Sequence, residues 1–179
     1  YMDWYCPLTS AYDPELSARL RQQGKQVWWY VCCGPWHPYA NFAAMDYPSI
    51  EGRLLAWMTY RFQADGLLFW HVNLWRPNPI IDGTDPYLDW KPTTVWNMTG
   101  DGCLTYPTAA GPASSIRLEN IRDGLEDYDY LAILADAQGR ETANGYVERL
   151  VKTMTDFSRD PAALAAVRDE IADRIEMGR

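Results

Sequence analysis

The run Gly66-Leu67-Leu68-Phe69-Trp70-His71-Val72-Asn73-Leu74-Trp75 constrains the fold of this chain more than any other stretch. It is short, apolar and preceded by Asp65, which is how a strand buried on both faces reads. A period of two puts Leu68, Trp70, Val72 and Leu74 on one face, and Leu67, Phe69, His71, Asn73 and Trp75 on the other. The second face begins apolar and ends in an imidazole, an amide and an indole. That is the pattern of a strand whose far end opens into a polar site. A helix-period stretch over 49–64 precedes it, and a long Pro- and Gly-rich segment follows. Helix, buried strand and long loop are the grammar of an α/β barrel, whose sites gather at the carboxyl ends of the strands.

The flanking sequence extends this grammar. Residues 1–6 predict a strand, and Asp13-Pro14-Glu15 starts a helix that Gly24 stops. Residues 26–33 predict a second buried strand, on which adjacent Cys32 and Cys33 point to opposite faces. Together these make a βαβ unit if the strands are parallel. The loop 34–41 carries Trp36, His37 and Tyr39. From Arg76 to Pro112 the chain is rich in Pro, Gly, Asp and aromatics, with short extended candidates at 93–96 and 103–106. A loop of that length inside a compact domain is usually functional. Ser114 or Ser115 caps a long helix ended by Gly139. Two more helices are expected over 142–157 and Pro161–Met177.

Composition closes off several classes. A net charge of −8 argues against nucleic acid or an anionic membrane as partner. No run approaches the ~20 apolar residues of a membrane span. With two His and four Cys at no zinc spacing, no metal is expected, and the thiols read as small buried hydrophobes. No cofactor is indicated. The chain opens at Tyr1 without Met, so localisation is not legible from a leader.

Several strings in succession carry a family resemblance. They are 24–32 (GKQVWWYVC), 53–57 (RLLAW), 66–70 (GLLFW) with Asn73 and Trp75, Gly100-Asp101-Gly102 with Tyr106-Pro107, 115–119 (SIRLE) and 122–128 (RDGLEDY). This order resembles the carboxyl-terminal part of the glycoside hydrolase family 123-like catalytic domain, also called domain of unknown function 4091. The resemblance runs from about Trp4 to about Leu134. It implies a (β/α)8 TIM-like barrel acting on glycans, in secreted or periplasmic settings. It also implies removal of terminal β-linked N-acetylgalactosamine with retention. There the 2-acetamido oxygen is the nucleophile, a Glu is acid/base and the preceding Asp orients the acetamido group, outside the two-carboxylate scheme.

The expected fold is therefore α/β: the carboxyl-terminal portion of such a barrel over 1–137, then a helical extension over 138–179. The family's Asp-Glu pair lies upstream of these strings. Asp-Glu occurs here only at Asp169-Glu170, within the last helix, so no catalytic residue is assigned. The expected partner is a carbohydrate substrate. The open interior of such a part is expected to drive self-association or association with the missing half of the barrel. Two rivals stand beside this reading. One is a non-catalytic carbohydrate-binding or structural module. The other is a stand-alone enzyme whose acid is Asp3, Asp82 or Asp85.

The substrate-binding candidates are Tyr30, Trp36, His37, His71, Asn73, Trp75 and Asp3. An indole face stacks on a pyranose while amides, imidazoles and hydroxyls bond its edge. Trp36 and Trp75 stand at strand exits, whereas Trp28, Trp29, Trp57 and Trp70 read as core. Tyr30 ends its strand with a hydroxyl, and the resemblance implies a Tyr bonded to the acetamido oxygen. His71 and Asn73 share the face that ends polar, and His37 sits in the next loop. Asp3 reads as a carboxylate near a strand exit. Asp82, Asp85, Asp89 and Asp101 read as turn formers. Arg117, Glu119, Arg122, Glu126 and Asp127 read as ion pairs within the helix and from helix to barrel.

Overall fold

The computed structural model describes residues 2–74 and 98–178. Asp13 caps α1 (Pro14–Gln22) by accepting the backbone N–H groups of Glu15 and Leu16, with proline in the first turn. The helix returns the chain so that β1 (Trp4–Tyr5) and β2 (Gln26–Val31) run parallel, Trp4 beside Gln26. A second crossover, α2 (Ile50–Phe62), delivers β3 (Gly66–Phe69) parallel to β2, with Trp28 beside Gly66 and Val31 beside Phe69. The sheet order is β1-β2-β3, two successive βαβ units as the spacing predicts.

Downstream, β4 (Thr105–Tyr106) and β5 (Ala113–Ser114) pair antiparallel. The Ser115 hydroxyl accepts the Leu118 N–H and opens α3 (Ile116–Gln138), which Gly139 ends. The next helix, α4 (Arg140–Glu148), is shorter than the expected 142–157, because the chain turns and Val151 bridges Phe157. Asp160 caps α5 (Pro161–Met177) through the Ala162 N–H. None of these helices is long and apolar enough to cross a membrane.

The sheet has one helix-covered face. Tyr5, Val27, Trp29, Val31, Leu67 and Phe69 share it by register and pack into the core. Trp29 is fully buried, donates its Nε1–H to Thr59 Oγ1 of α2 at 3.1 Å, and meets the edge of Tyr12. The core continues outward through Trp57, Leu131, Val147 and Ile171, joining α2 to α5 in one cluster. At Gly124, α3 lies so close to α2 that a Cβ would stand 2.8 Å from the Arg53 carbonyl oxygen. That approach brings Arg53 onto Asp127, with Nε–Oδ2 2.6 Å and Nη2–Oδ1 2.8 Å. Trp57 Nε1 and Arg168 Nε complete the set at 2.9 and 2.8 Å, so one buried carboxylate ties α2, α3 and α5.

The opposite face differs from expectation. Trp4, Trp28, Leu68 and, beyond the strand, Trp70 line it, and Trp4 is 61% and Trp70 43% exposed. Residues 66–75 are thus not a strand buried on both faces: among the described residues only one face is covered, and β3 ends at Phe69. The physical reason is a change of partner. Leu104 N–H donates to Val72 carbonyl at 2.7 Å and Leu74 N–H to Gly102 carbonyl at 2.9 Å, so the chain leaves β2 for 102–105. Trp75, Asp82, Asp85, Asp89 and the 93–96 candidate lie outside the described residues. What stands is a mixed α/β unit around a parallel sheet.

Candidate functional site

A parallel sheet brings its strand exits to one end, and the exits of β2 and β3 hold the polar groups here. Their hub is Asp101, 3% exposed, in the turn Gly100-Asp101-Gly102. Both glycines have positive φ, +102° and +75°. A Cβ at Gly102 would meet the Trp70 ring at 2.9 Å, and one at Gly100 would meet Arg117 Nη1 at 2.8 Å. The motif therefore lets an indole and a guanidinium lie against bare backbone. Asp101 Oδ1 accepts the Trp70 Nε1–H at 2.9 Å, with the backbone N–H groups of Gly102 and Cys33 acting on its carboxylate as well. Burial pushes this carboxyl above the ordinary range, against the pull of those donors and of Arg117.

Arg117 corrects the ion-pair reading at its position. It is buried, and Nη1 donates to the carbonyls of Phe42, Ala43 and Gly100 at 3.1, 2.7 and 3.0 Å, while Nη2 donates to Cys103 carbonyl. It thus sews the loop after β2 to the Asp101 turn. Arg122, by contrast, pairs within α3 to Glu119, Asp123 and Glu126, as expected.

Tyr30 stands on the bare face of β2, and Cys32 is among the groups acting on its hydroxyl. Burial first, then the Cys32 side chain, hold the phenol well above its usual pKa, so it stays a donor. Cys32 and Cys33 do not point to opposite faces: β2 ends at Val31, the chain bends, and the two Sγ atoms lie 3.9 Å apart. His71 lies edge-on to Trp70 with ring centroids 5.6 Å apart, and its Nδ1 accepts the Asn73 N–H at 3.2 Å. Asn73 is exposed and bridges to Cys103.

The structure therefore gathers Tyr30, Trp70, Asp101 and the cysteine pair, with His71 beside the indole. Trp70 is a half-exposed shelf rather than core, which corrects the sequence reading. Trp36, 56% exposed, stands in the loop after β2. His37 is drawn elsewhere: its Nε2 is 3.0 Å from Glu51 Oε1 and its ring stacks on Tyr47. Glu51, fully buried, also accepts Asn41 N–H at 3.0 Å and Arg159 Nε–H at 2.5 Å. Asp3 is at the wrong end. It precedes β1, its carbonyl accepts Gln26 N–H, and its carboxylate pairs with Lys25 at 2.6 Å. The chain enters the sheet there, so Asp3 marks an amino end.

Two residues play parts that the sequence reading did not give them. Asp101 had a signal, its two flanking glycines, which make poor sense as a plain turn. Glu51 had none, since a Glu in a first helical turn reads as a charge on the dipole.

Two apolar grooves flank the sheet rather than its exits. One, about 350 Å³, lies along β3 against Gly52, Ala56, Ile121 and Leu125. The other, about 290 Å³, lies along β1 against Leu16 and Leu20. Among the described residues no group of three His, Cys, Asp or Glu could hold a metal ion. The Asp169-Glu170 pair sits on α5, where Glu170 is engaged by Arg149 at 2.6 and 2.8 Å. What the exits offer is a stacking plane and hydrogen-bond groups around it.

Comparison with known proteins fits this geometry. No curated protein matches the chain. Among solved structures it is similar to a family 123 glycoside hydrolase from Clostridium perfringens, whose structural analysis concerns glycolipid glycan hydrolysis, at 18% identity and a TM-score of 0.62. The likeness covers 98% of this chain and 32% of that one, so the chain spans about a third of its length. At that identity the likeness is one of fold. The family described as glycoside hydrolase 123, catalytic domain, matches residues 2–134, and the chain belongs to it.

Proposed function

We propose that this chain supplies one wall of a glycan-hydrolysing site in a (β/α)8 barrel. The substrate class is terminal β-linked N-acetylhexosamine, N-acetylgalactosamine in particular, removed with retention by substrate assistance. The observation that carries the reading is the Trp70 shelf, held by Asp101 at the exits of β2 and β3 within a glycoside hydrolase 123 domain. Trp70 stacks on the sugar's apolar face. Tyr30, kept protonated, donates to the acetamido oxygen, a bond worth most as that oxygen attacks. The glycolipid glycan hydrolysis studied in the Clostridium perfringens relative supports a glycan as substrate.

In this reading the sheet continues past β1 and β3. The bare apolar face would be barrel interior, and the two edge grooves would seat neighbouring elements. The acid/base pair stands upstream of these residues. The rival module reading, which binds glycan without cleaving it, draws on the placement of the Asp-Glu pair on α5.

An NMR titration with N-acetylgalactosamine, paired with an aryl β-N-acetylgalactosaminide assay, tests both. The Trp70 indole N–H resonance should shift with sugar, and this chain alone should release no aryl group. A longer parent carrying an upstream Asp-Glu pair should release it. An unmoved indole resonance removes the site. A parent that binds but does not cleave leaves the module.

A further inference from the structure

We propose that Cys32 and Cys33 form a vicinal dithiol site at the exit of β2. Its thiols close to a disulfide with an oxidant of the glutathione-disulfide class, and its reduced form chelates a trivalent arsenical.

Neighbours on an extended strand point to opposite faces, yet these two sulfurs are 3.9 Å apart. The bend that turns them together is built by named bonds. Cys32 N–H donates to Gly34 carbonyl at 2.8 Å. The Asn41 amide donates to the carbonyls of Cys32 and Pro35 at 2.9 and 3.0 Å, and its own oxygen accepts Ala43 N–H at 2.8 Å. Asn41 is fully buried, so these bonds are shielded from water. Both residues are partly exposed, unlike Cys103, which puts the pair at the surface where a reagent can approach. Cys103 is the internal contrast: it is buried and donates its S–H to Leu74 carbonyl at 3.1 Å.

The chemistry follows from adjacency. A bridge between neighbours spans Cα atoms about 3.8 Å apart, below the usual range of about 4.4–6.8 Å. Such a strained, accessible disulfide is readily reduced and therefore reversible. One cysteine thiolate attacks a sulfur of oxidised glutathione and expels one reduced glutathione. The second attacks the protein sulfur of the mixed disulfide, the S–S bond closes, and the second glutathione leaves. Two S–H bonds are lost, two electrons reduce the oxidant, and both protons end on glutathione thiols. No third ligand joins the pair among the described residues, which favours a two-sulfur chelate over zinc. Closure also changes the Cys32 side chain that acts on the Tyr30 hydroxyl. Any effect on sugar binding rests on the function proposed above, whereas the sulfur chemistry does not.

The experiment equilibrates the purified chain across oxidised-to-reduced glutathione ratios, then quenches with acid, alkylates in denaturant and maps peptides by mass. Trypsin releases residues 26–53, which contain both cysteines and no other. The expected result is loss of two hydrogens in that peptide, no alkylation within it, reversal by dithiothreitol, and alkylation of Cys103 throughout. Phenylarsine oxide should bind once per chain and protect the same peptide. Cys33→Ser should abolish both effects and Cys6→Ser neither. Bridging of Cys32 or Cys33 to Cys6 or to a second chain would overturn the proposal. So would glutathione retained on either residue, or full alkylation at every ratio. If Cys33→Ser does not fold, the wild-type peptide map decides alone.

Discussion

Trp70 and Asp101, 31 residues apart in sequence, meet through a 2.9 Å bond from indole Nε1 to carboxylate Oδ1. The bond fixes a half-exposed ring against a buried charge. An aromatic plane held this way loses little freedom when a flat ligand settles on it.

Asp101 makes a pH-dependence. Its folded pKa is raised, so its contribution to stability is present below the unfolded carboxylate pKa and is lost as pH rises through the folded one. Thermal midpoints measured across the acidic range should therefore decline along that limb in the wild type. Asp101→Asn should flatten this part of the profile. An identical slope in both proteins would show that another group titrates.

Trp70 and Trp36 should separate in sugar binding. Trp70→Ala is expected to cost roughly 1–3 kcal/mol in affinity for N-acetylgalactosamine, in line with buried aromatic anchors elsewhere. Among the described residues Trp36 has no comparable hydrogen-bond anchor, and Trp36→Ala should cost less. Calorimetric titration of both variants would rank them, and the reverse order would move the shelf to the loop.

Asp127 should be the most sensitive charged position for stability. Asp127→Ala leaves Arg53, Arg168 and the Trp57 N–H facing a hole. Removing one partner of a buried charge cluster costs on the order of 3–5 kcal/mol. Urea denaturation would measure it, and a loss below 1 kcal/mol, on the order of a surface pair, would contradict the burial argument.

The bare sheet face should make the isolated chain self-associate. Trp4 and Leu68 are exposed on it, and β1 is a sheet edge. Light scattering should show mass rising with concentration, and Trp4→Lys with Leu68→Lys should reduce it. A monodisperse wild-type monomer would mean the face is covered by some other means.

The α/β rhythm was legible because local signals agree with the tertiary ones. Asp13-Pro14 and Asp160-Pro161 start helices where the structure starts them, and Gly139 ends one. Trp29 and Trp57 lie in the core, as a strand centre and a helix face require. The site was less legible, since strand ends depend on which partner takes the backbone. Periodicity carried past Val31 misplaced Cys32 and Cys33, because the bend there resets the faces, and Trp70 was misread as core because the face it shares with Leu68 is uncovered among the described residues. Asp3 was misplaced by the strand's bounds, since β1 begins only at Trp4 and a strand's first paired residue depends on its neighbour. His37 was set by Glu51, a partner 14 residues away on another element.

The missing side chain at Gly124 reaches further than its own helix. Because α3 rests on the Arg53 carbonyl, its spacing from α2 is set by backbone and admits no elastic adjustment. α2 in turn grips the sheet through Thr59 and the Trp29 indole. A methyl group at position 124 would thus act as a shim, lifting α3 and loading the strand that carries Tyr30. The packing gauge for the end that carries Tyr30 and Trp70 is kept on the far side of the sheet, by an atom that is not there.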